Sequence, residues 1–347
     1  MKNKPFEIQD ITRKNILSLK PYSSARDEYS GQAMVFLDAN ENPFNLPYNR
    51  YPDPLQHDLK EKIAQIKQCN LEQIFLGNGS DEPIDLVFRA FCNPGIDNII
   101  SIEPTYGMYQ VAAGINQVEI KTGKLTCDFQ LDTELILSKI DKNTKVIFLC
   151  SPNNPSGNLL QNEDIIKIIN TFHGLVIVDE AYIDFSPGKS LLSKLDIYPN
   201  LIILQTFSKA WGMAGIRLGM AFASPEIIGI FNKIKYPYNI NILTQQKAME
   251  LLDKEHEKNE WVNILIKERE RVAKALSTMP GIQKVYHSDA NFLLVKMKDA
   301  NNTYNKLVDR GIIVRNRSKI ILCDDCLRIT IGSNEENGIL LEEISKL

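Results

Sequence analysis

The run Thr206-Phe-Ser-Lys209-Ala-Trp-Gly-Met-Ala-Gly-Ile-Arg217-Leu-Gly follows an apolar stretch at 201–205 and leads into another. Lysine is ordinarily a solvated surface residue. Placed at a strand end among hydroxyls and small residues, its amine is desolvated, which lowers its pKa and suits it to condense with an aldehyde. Thr206 and Ser208 can donate to a phosphate, and Arg217 can pair with the same dianion. A Ser-Lys pair alone would carry nothing; the whole segment is specific.

Other polar motifs also sit where apolar runs end. In Val176-Ile-Val-Asp179-Glu-Ala-Tyr182 a carboxylate stands directly at such an end, where an aspartate by itself reads as a helix cap. Ser151-Pro-Asn-Asn154-Pro-Ser-Gly157 is dense enough in Pro and Gly to mean a turn, and a role for Asn154 is conditional on a ligand. Gly77-Asn-Gly-Ser80-Asp81-Glu opens a stretch with helical apolar spacing at Ile84, Val87 and Phe88. Successive backbone N–H groups at such a helix start bind phosphate. The motif lacks the lysine of a P-loop and the spacing of the dinucleotide fingerprint, and many α/β proteins use such a turn simply to turn. Tyr106, in Glu103-Pro-Thr-Tyr106, can stack flat on a ring, although an aromatic residue at a strand end is more often plain core.

The elements that must position these residues follow from periodicity. From about residue 72 to 223, short β-branched runs alternate with longer amphipathic stretches, the pattern of a parallel sheet covered by helices. Strands are expected at 73–76, 98–102, 145–150, 175–179, 201–205 and 217–223. Several are apolar throughout, as strands buried on both faces are. Ligands of such a sheet lie beyond the carboxyl ends of its strands, which is where the motifs fall. Helices expected at 243–252 and 261–279 precede strands near 292–296, 312–315 and 327–331, read as a second, smaller domain. The first 35 or so residues are too polar for a core of their own and are expected to pack as an arm on that second domain or on a neighbouring subunit.

The 347 residues, 44% hydrophobic and 24% charged, are enough for a large domain plus a small one and give no sign of a disordered chain. A formal net charge of −3 with no long basic run argues against nucleic acid as a partner. No export signal is read at 1–10 and no apolar run is long enough to cross a bilayer, so a soluble cytoplasmic protein with reduced thiols is expected. Cys323-Asp-Asp-Cys326 has neither a second ligand pair for zinc nor flanks that favour a thiolate, and reads as a turn between two strands; no metal site is expected.

Taken in order and spacing, these motifs resemble the fold-type-I pyridoxal-5′-phosphate (PLP) aminotransferases over essentially the whole chain. The resemblance extends to Leu19-Lys-Pro-Tyr22, Asp38-Ala-Asn-Glu-Asn-Pro43, Asn49-Arg-Tyr51-Pro-Asp, Pro104-Thr-Tyr-Gly-Met-Tyr109, Gly311-Ile-Ile-Val-Arg315-Asn-Arg and Leu327-Arg328-Ile-Thr. Only the segment 236–244 is loosely matched. What the resemblance implies is an α/β fold. A large PLP-binding domain at 45–240 would carry a mostly parallel, seven-stranded sheet covered by helices. A smaller α+β domain would be formed by 241–347 with part of 1–44.

Residue by residue, the resemblance makes Lys209 the Schiff-base lysine, Asp179 the partner of the cofactor's ring nitrogen, and Asn154 and Tyr182 donors to its ring oxygen. Tyr106 would stack on the ring, with Ser80, Asp81, Thr206, Ser208 and Arg217 around the phosphate. Tyr51 would reach that region from the other subunit of a homodimer. Arg328 matches the family's substrate-anion arginine, and Tyr22 and Arg315 match positions near a substrate phosphate. The implied activity is amino transfer from a phosphate-bearing amine to 2-oxoglutarate, giving glutamate. Relatives that act on aromatic amino acids or decarboxylate threonine phosphate use nearly the same cofactor shell. From another class, a non-catalytic PLP-binding protein is argued against by the joint presence of Lys209, Asp179 and Arg217, whereas a phosphate-ligand-binding protein would need only the Gly77–Ser80 turn.

Overall fold

The apolar runs pair into one seven-stranded sheet in the computed structural model, which describes residues 6–23 and 34–347. The strands are β1 (Ile74–Asn78), β2 (Asn98–Glu103), β3 (Glu119–Lys124), β4 (Thr144–Cys150), β5 (Leu175–Asp179), β6 (Leu201–Thr206) and β7 (Leu218–Phe222), in the order β1-β7-β6-β5-β4-β2-β3. Strands β2 to β6 run parallel, whereas β7 pairs antiparallel with both β6 and β1.

Period-two alternation splits each central strand between two apolar layers. Phe75, Val146, Phe148, Ile177 and Leu204 face helices Asp81–Phe91, Met108–Ile115 and Pro225–Ile234. Ile147, Leu149, Val176, Val178 and Ile203 face the layer that holds Leu59 and Ile63 of helix His57–Lys67 and Ile165, Ile168 and Ile169 of helix Asn162–Thr171. This double burial explains the largely apolar character of β4 to β6.

A second sheet, ordered β10-β11-β9-β8, is antiparallel throughout. Its strands are β8 (Ile282–Val285), β9 (Phe292–Met297), β10 (Arg315–Asn316) and β11 (Cys326–Thr330). Leu293, Val295, Leu327 and Ile329 pack in a core with Val272 and Leu276 of helix Glu255–Ser277 and Leu340 and Leu341 of helix Asn334–Ser345. The opposite alternation, Phe292 and Leu294 on β9 and Cys326 on β11, packs into the layers of the large sheet. Arg328, two residues beyond Cys326, shares that face.

Three expectations are corrected. The N-terminal segment does not lie on the second sheet: Ile16, with Phe6, Ile8 and Ile11, packs on the large sheet's layer beside Phe88 and Phe231. It is tied there by Arg13, whose N–H donates to the Ala90 carbonyl at 3.0 Å and whose Nη1 donates to that of Arg89 at 2.8 Å. The remainder of the expected arm, 1–5 and 24–33, lies outside the described residues. The strand expected at 312–315 is only Arg315–Asn316, because Ile312 and Val314 turn into the small core before the ladder begins. Arg217, expected within a strand, instead precedes β7 in the left-handed region at φ 55°.

Candidate active site

Parallel strands deliver their carboxyl ends to one edge of the sheet. Five site segments follow β1, β2, β4, β5 and β6 there: Ser80 and Asp81, Tyr106, Asn154, Asp179 with Tyr182, and Ser208 with Lys209. Because β7 runs the other way, it begins at the same edge, and Arg217 joins them. These residues, with Thr206, line a single cavity.

At one end the donors converge. Gly79 has φ +69°, and a Cβ built on it would meet the Arg217 Nη2 at 2.7 Å, so only glycine leaves the turn open to that guanidinium. A Cβ on Gly219 would lie 2.3 Å from the Ser80 nitrogen, which shows how closely β7 presses on the start of helix Asp81–Phe91. Thr206 Oγ1 is 3.0 Å from Ser208 Oγ, and Arg217 Nη2 lies 3.5 Å from Asp81 Oδ2. Hydroxyls, a helix N-terminus and a guanidinium together make an anion cradle.

Lys209 stands between this cradle and the other end, its Nζ 5.7 Å from the Tyr182 ring centre. Burial lowers its pKa, Arg328 and Arg217 lower it further, and Asp179 and Asp81 partly oppose them. The result is an amine more available in its neutral, nucleophilic form than an ordinary lysine.

Asp179 is 2% exposed. Burial pushes its carboxyl up to about 6, while hydrogen bonds from the Tyr109 hydroxyl and the Ala181 N–H pull the other way. The Tyr109 hydroxyl donates to Asp179 Oδ2 at 2.6 Å, and the Ala181 N–H donates to Oδ1 at 3.1 Å. Tyr109 is itself fully buried and stacks on Phe148 at 4.7 Å. Its role went unread in the sequence, where it is one apolar position of helix Met108–Ile115; a hydroxyl on a wholly buried helix face was the available signal. Tyr106 packs edge-on against Tyr109 at 5.6 Å and donates to Asp81 Oδ1 at 3.1 Å.

The two sheets meet at Asn154. Arg328 Nη1 donates to Asn154 Oδ1 at 2.6 Å. A guanidinium can only donate, so it fixes the amide's orientation and leaves Nδ2 pointing to the Tyr182 hydroxyl, 3.4 Å away. Arg328 also lies over the Phe292 ring at 5.3 Å, and Arg315 is its partner across the β10–β11 ladder. A further guanidinium, Arg317, follows on the same side and was not singled out in the sequence.

Tyr22 and Tyr51 are not brought to Lys209 within the chain. They line a separate pocket with Pro54, Lys233 and Tyr238, where Tyr51 stacks on Tyr238 at 4.5 Å. Cys323 and Cys326 are both buried and free, and the Cys326 N–H donates to the Cys323 carbonyl at 3.0 Å, closing the turn between β10 and β11.

An anion cradle, a depressed amine, a buried carboxylate and a fixed amide in one cavity form the donor set that a phosphate-bearing aromatic aldehyde with a ring nitrogen requires. The arrangement fits PLP.

The model of the family "Aminotransferase class I and II" matches residues 39–344. Histidinol-phosphate aminotransferase from Bacteroides fragilis (strain YCH46) is 60% identical over 340 residues, 98% of this chain and 99% of its own length. The crystal structure of the histidinol-phosphate aminotransferase from Clostridium acetobutylicum has a TM-score of 0.80 at 27% identity, covering 86% of this chain and 90% of that one. The enzyme of that name from Sinorhizobium meliloti, solved in complex with pyridoxal-5′-phosphate, shares the fold with a TM-score of 0.78 at 23% identity, covering 86% of this chain and 82% of that one. The sequence motifs, the strand-end cavity and these matches agree: the chain belongs to the class I and II aminotransferases.

Proposed function

We propose that the chain is a PLP-dependent histidinol-phosphate transaminase. It transfers the amino group of L-histidinol phosphate to 2-oxoglutarate, giving imidazole-acetol phosphate and L-glutamate, a step of histidine biosynthesis in the cytoplasm. The observation that carries this reading is Lys209, a depressed amine between the anion cradle and Asp179 and facing the Arg328–Asn154 contact.

PLP supplies a ring that accepts the electron pair left at the substrate Cα when its proton departs. The chain's residues do the rest. Ser80, Thr206, Ser208 and Arg217 would hold the phosphate, and the Lys209 amine would hold the aldehyde group. The Lys209 amine would also take the substrate's Cα proton, a role to which its lowered pKa suits it. Asp179 keeps an anion beside the ring nitrogen, held in place by Tyr109. Asn154 Nδ2 and the Tyr182 hydroxyl would serve the ring oxygen, and Tyr106 would lie against the ring.

The large domain is assigned to 45–240 with the segment around Ile16 packed on it, the small one to 241–347, and the active unit to a homodimer with shared sites. Phe44 and Leu46 are 76% and 79% exposed, an apolar surface that calls for a partner. Tyr51 lines a pocket that does not include its own chain's Lys209. Lys209→Ala and Tyr51→Ala chains should therefore each be impaired, and mixing them should restore activity. One of the two heterodimer sites then draws Lys209 and Tyr51 from intact copies. Activity no higher than the sum of the separate homodimers, with exchange confirmed, overturns the shared site.

The assignment of substrate is tested by a panel of histidinol phosphate, histidinol, phenylalanine, aspartate and threonine phosphate with 2-oxoglutarate, reading glutamate. Histidinol phosphate should lead by roughly two orders of magnitude in kcat/KM, the worth of a desolvated charge-assisted contact. A lead for phenylalanine, or carbon dioxide release from threonine phosphate, would replace the reading with one of its relatives.

A further inference from the structure

The β10–β11 hairpin places three guanidiniums on one face. Arg315 is opposite Arg328 in the ladder, and Arg317, two residues on, donates its N–H to the Cys326 carbonyl at 2.9 Å. Strand alternation therefore turns Arg315 and Arg317 to the side that carries Arg328 and packs on the large sheet. No carboxylate forms an ion pair with any of the three among the described residues. Arg317 Nε is buried without a hydrogen-bond partner, as is the neighbouring Ser318 Oγ. Burial, then Arg328 and Arg315, lower the Arg317 pKa to about 10, so like charge accumulates here without compensation. A folded chain tolerates such a cluster where an anionic ligand completes it.

We propose that Arg317 is the residue that distinguishes the phosphate of one substrate from the carboxylates of the other. This rests on the proposed transamination between histidinol phosphate and 2-oxoglutarate. The two half-reactions present different anions to one site. A carboxylate has two oxygens, which the paired donors of Arg328 satisfy. A phosphate has three terminal oxygens and close to two charges, so a second guanidinium is called for by one substrate and not by the other. The buried Cys323–Cys326 turn sets the position of Arg317, because the carbonyl that receives its N–H belongs to Cys326.

The test separates the half-reactions in the holoenzyme by single-turnover absorbance, with histidinol phosphate or with glutamate as amine. Arg317→Gln should weaken apparent binding of histidinol phosphate roughly tenfold to a hundredfold, the worth of one charge-assisted contact, and that of glutamate less than threefold. Arg317→Lys, which keeps the charge but not the fork, should recover part of the loss. In parallel, inorganic phosphate is titrated into holoenzyme by calorimetry. Its affinity should fall by a similar factor in Arg317→Gln, whichever amine the enzyme prefers, so this arm is independent of the substrate assignment. Equal losses in both half-reactions, or unchanged phosphate affinity, overturn the inference. A wild-type enzyme with no preference for histidinol phosphate over histidinol overturns the substrate assignment instead. Should Arg317→Gln fail to fold, Arg317→Lys with the phosphate titration still decides: undiminished affinity there counts against a guanidinium fork.

Discussion

Lys209→Ala is expected to lower the rate of amino transfer by roughly four or more orders of magnitude, since it removes both the attachment point and the group that moves the Cα proton. The variant should still bind PLP, because the cradle of Ser80, Thr206, Ser208 and Arg217 is untouched. Loss of chemistry with retention of cofactor separates a catalytic lysine from a structural one. Borohydride reduction and peptide mapping of the wild type should find the pyridoxyl group on the peptide containing Lys209. An adduct on Lys258, buried against Trp211, or on another lysine would overturn the assignment. The depressed pKa sets the pH dependence: the neutral amine is the nucleophile, so attachment of PLP to the apoprotein should speed up with rising pH and level off at a lower pH than an ordinary lysine would require.

The second large effect is expected at Arg328. Arg328→Ala should lower kcat/KM for histidinol phosphate by roughly two or more orders of magnitude, and much less for histidinol, which has no phosphate to grip. Two observations weigh against a solvent-facing strand-end charge, which would change little on removal. The guanidinium lies over Phe292 and is bonded to Asn154, both inside the junction of the two sheets. The substitution also frees Asn154 Oδ1, so the amide can turn its other atom toward the ring oxygen, and the visible absorbance of bound PLP should change as well as the kinetics. Equal proportional losses for the two amines would show that Arg328 does not read the phosphate.

The parts of this molecule that were legible in its sequence share one property: they are local. Strands β4 to β6 are apolar on both faces, and their ends carry Asn154, Asp179 and Lys209 within a few residues, so composition and position along the chain coincide. Strand β3 went unread because Glu119–Lys124 is an edge strand of largely polar, half-exposed residues, without the apolar run or alternation that marks a buried strand. Tyr109 and Arg317 were missed for another reason. A tyrosine in an apolar helix and an arginine in a charged hairpin acquire meaning only from partners distant in sequence: Asp179, 70 residues away, for the first, and the register of β10 on β11 for the second. Of the two neighbours expected for the N-terminal segment, the second sheet was not the one found, because Ile8, Ile11 and Ile16 state that it packs but not on what.

The reversal of β7 limits how this chain can change length. Thr206 and Gly219 are paired across the sheet, and between them run the lysine and the arginine of the cradle. Both ends of that stretch are fixed by ladder register, and inside it the Phe207 N–H donates to the Leu218 carbonyl and the Met213 N–H to that of Phe207, so an inserted or deleted residue that broke these bonds would displace Lys209 relative to Arg217. Surface loops elsewhere can grow or shrink at small entropic cost, but this hairpin acts as a ruler with fixed marks.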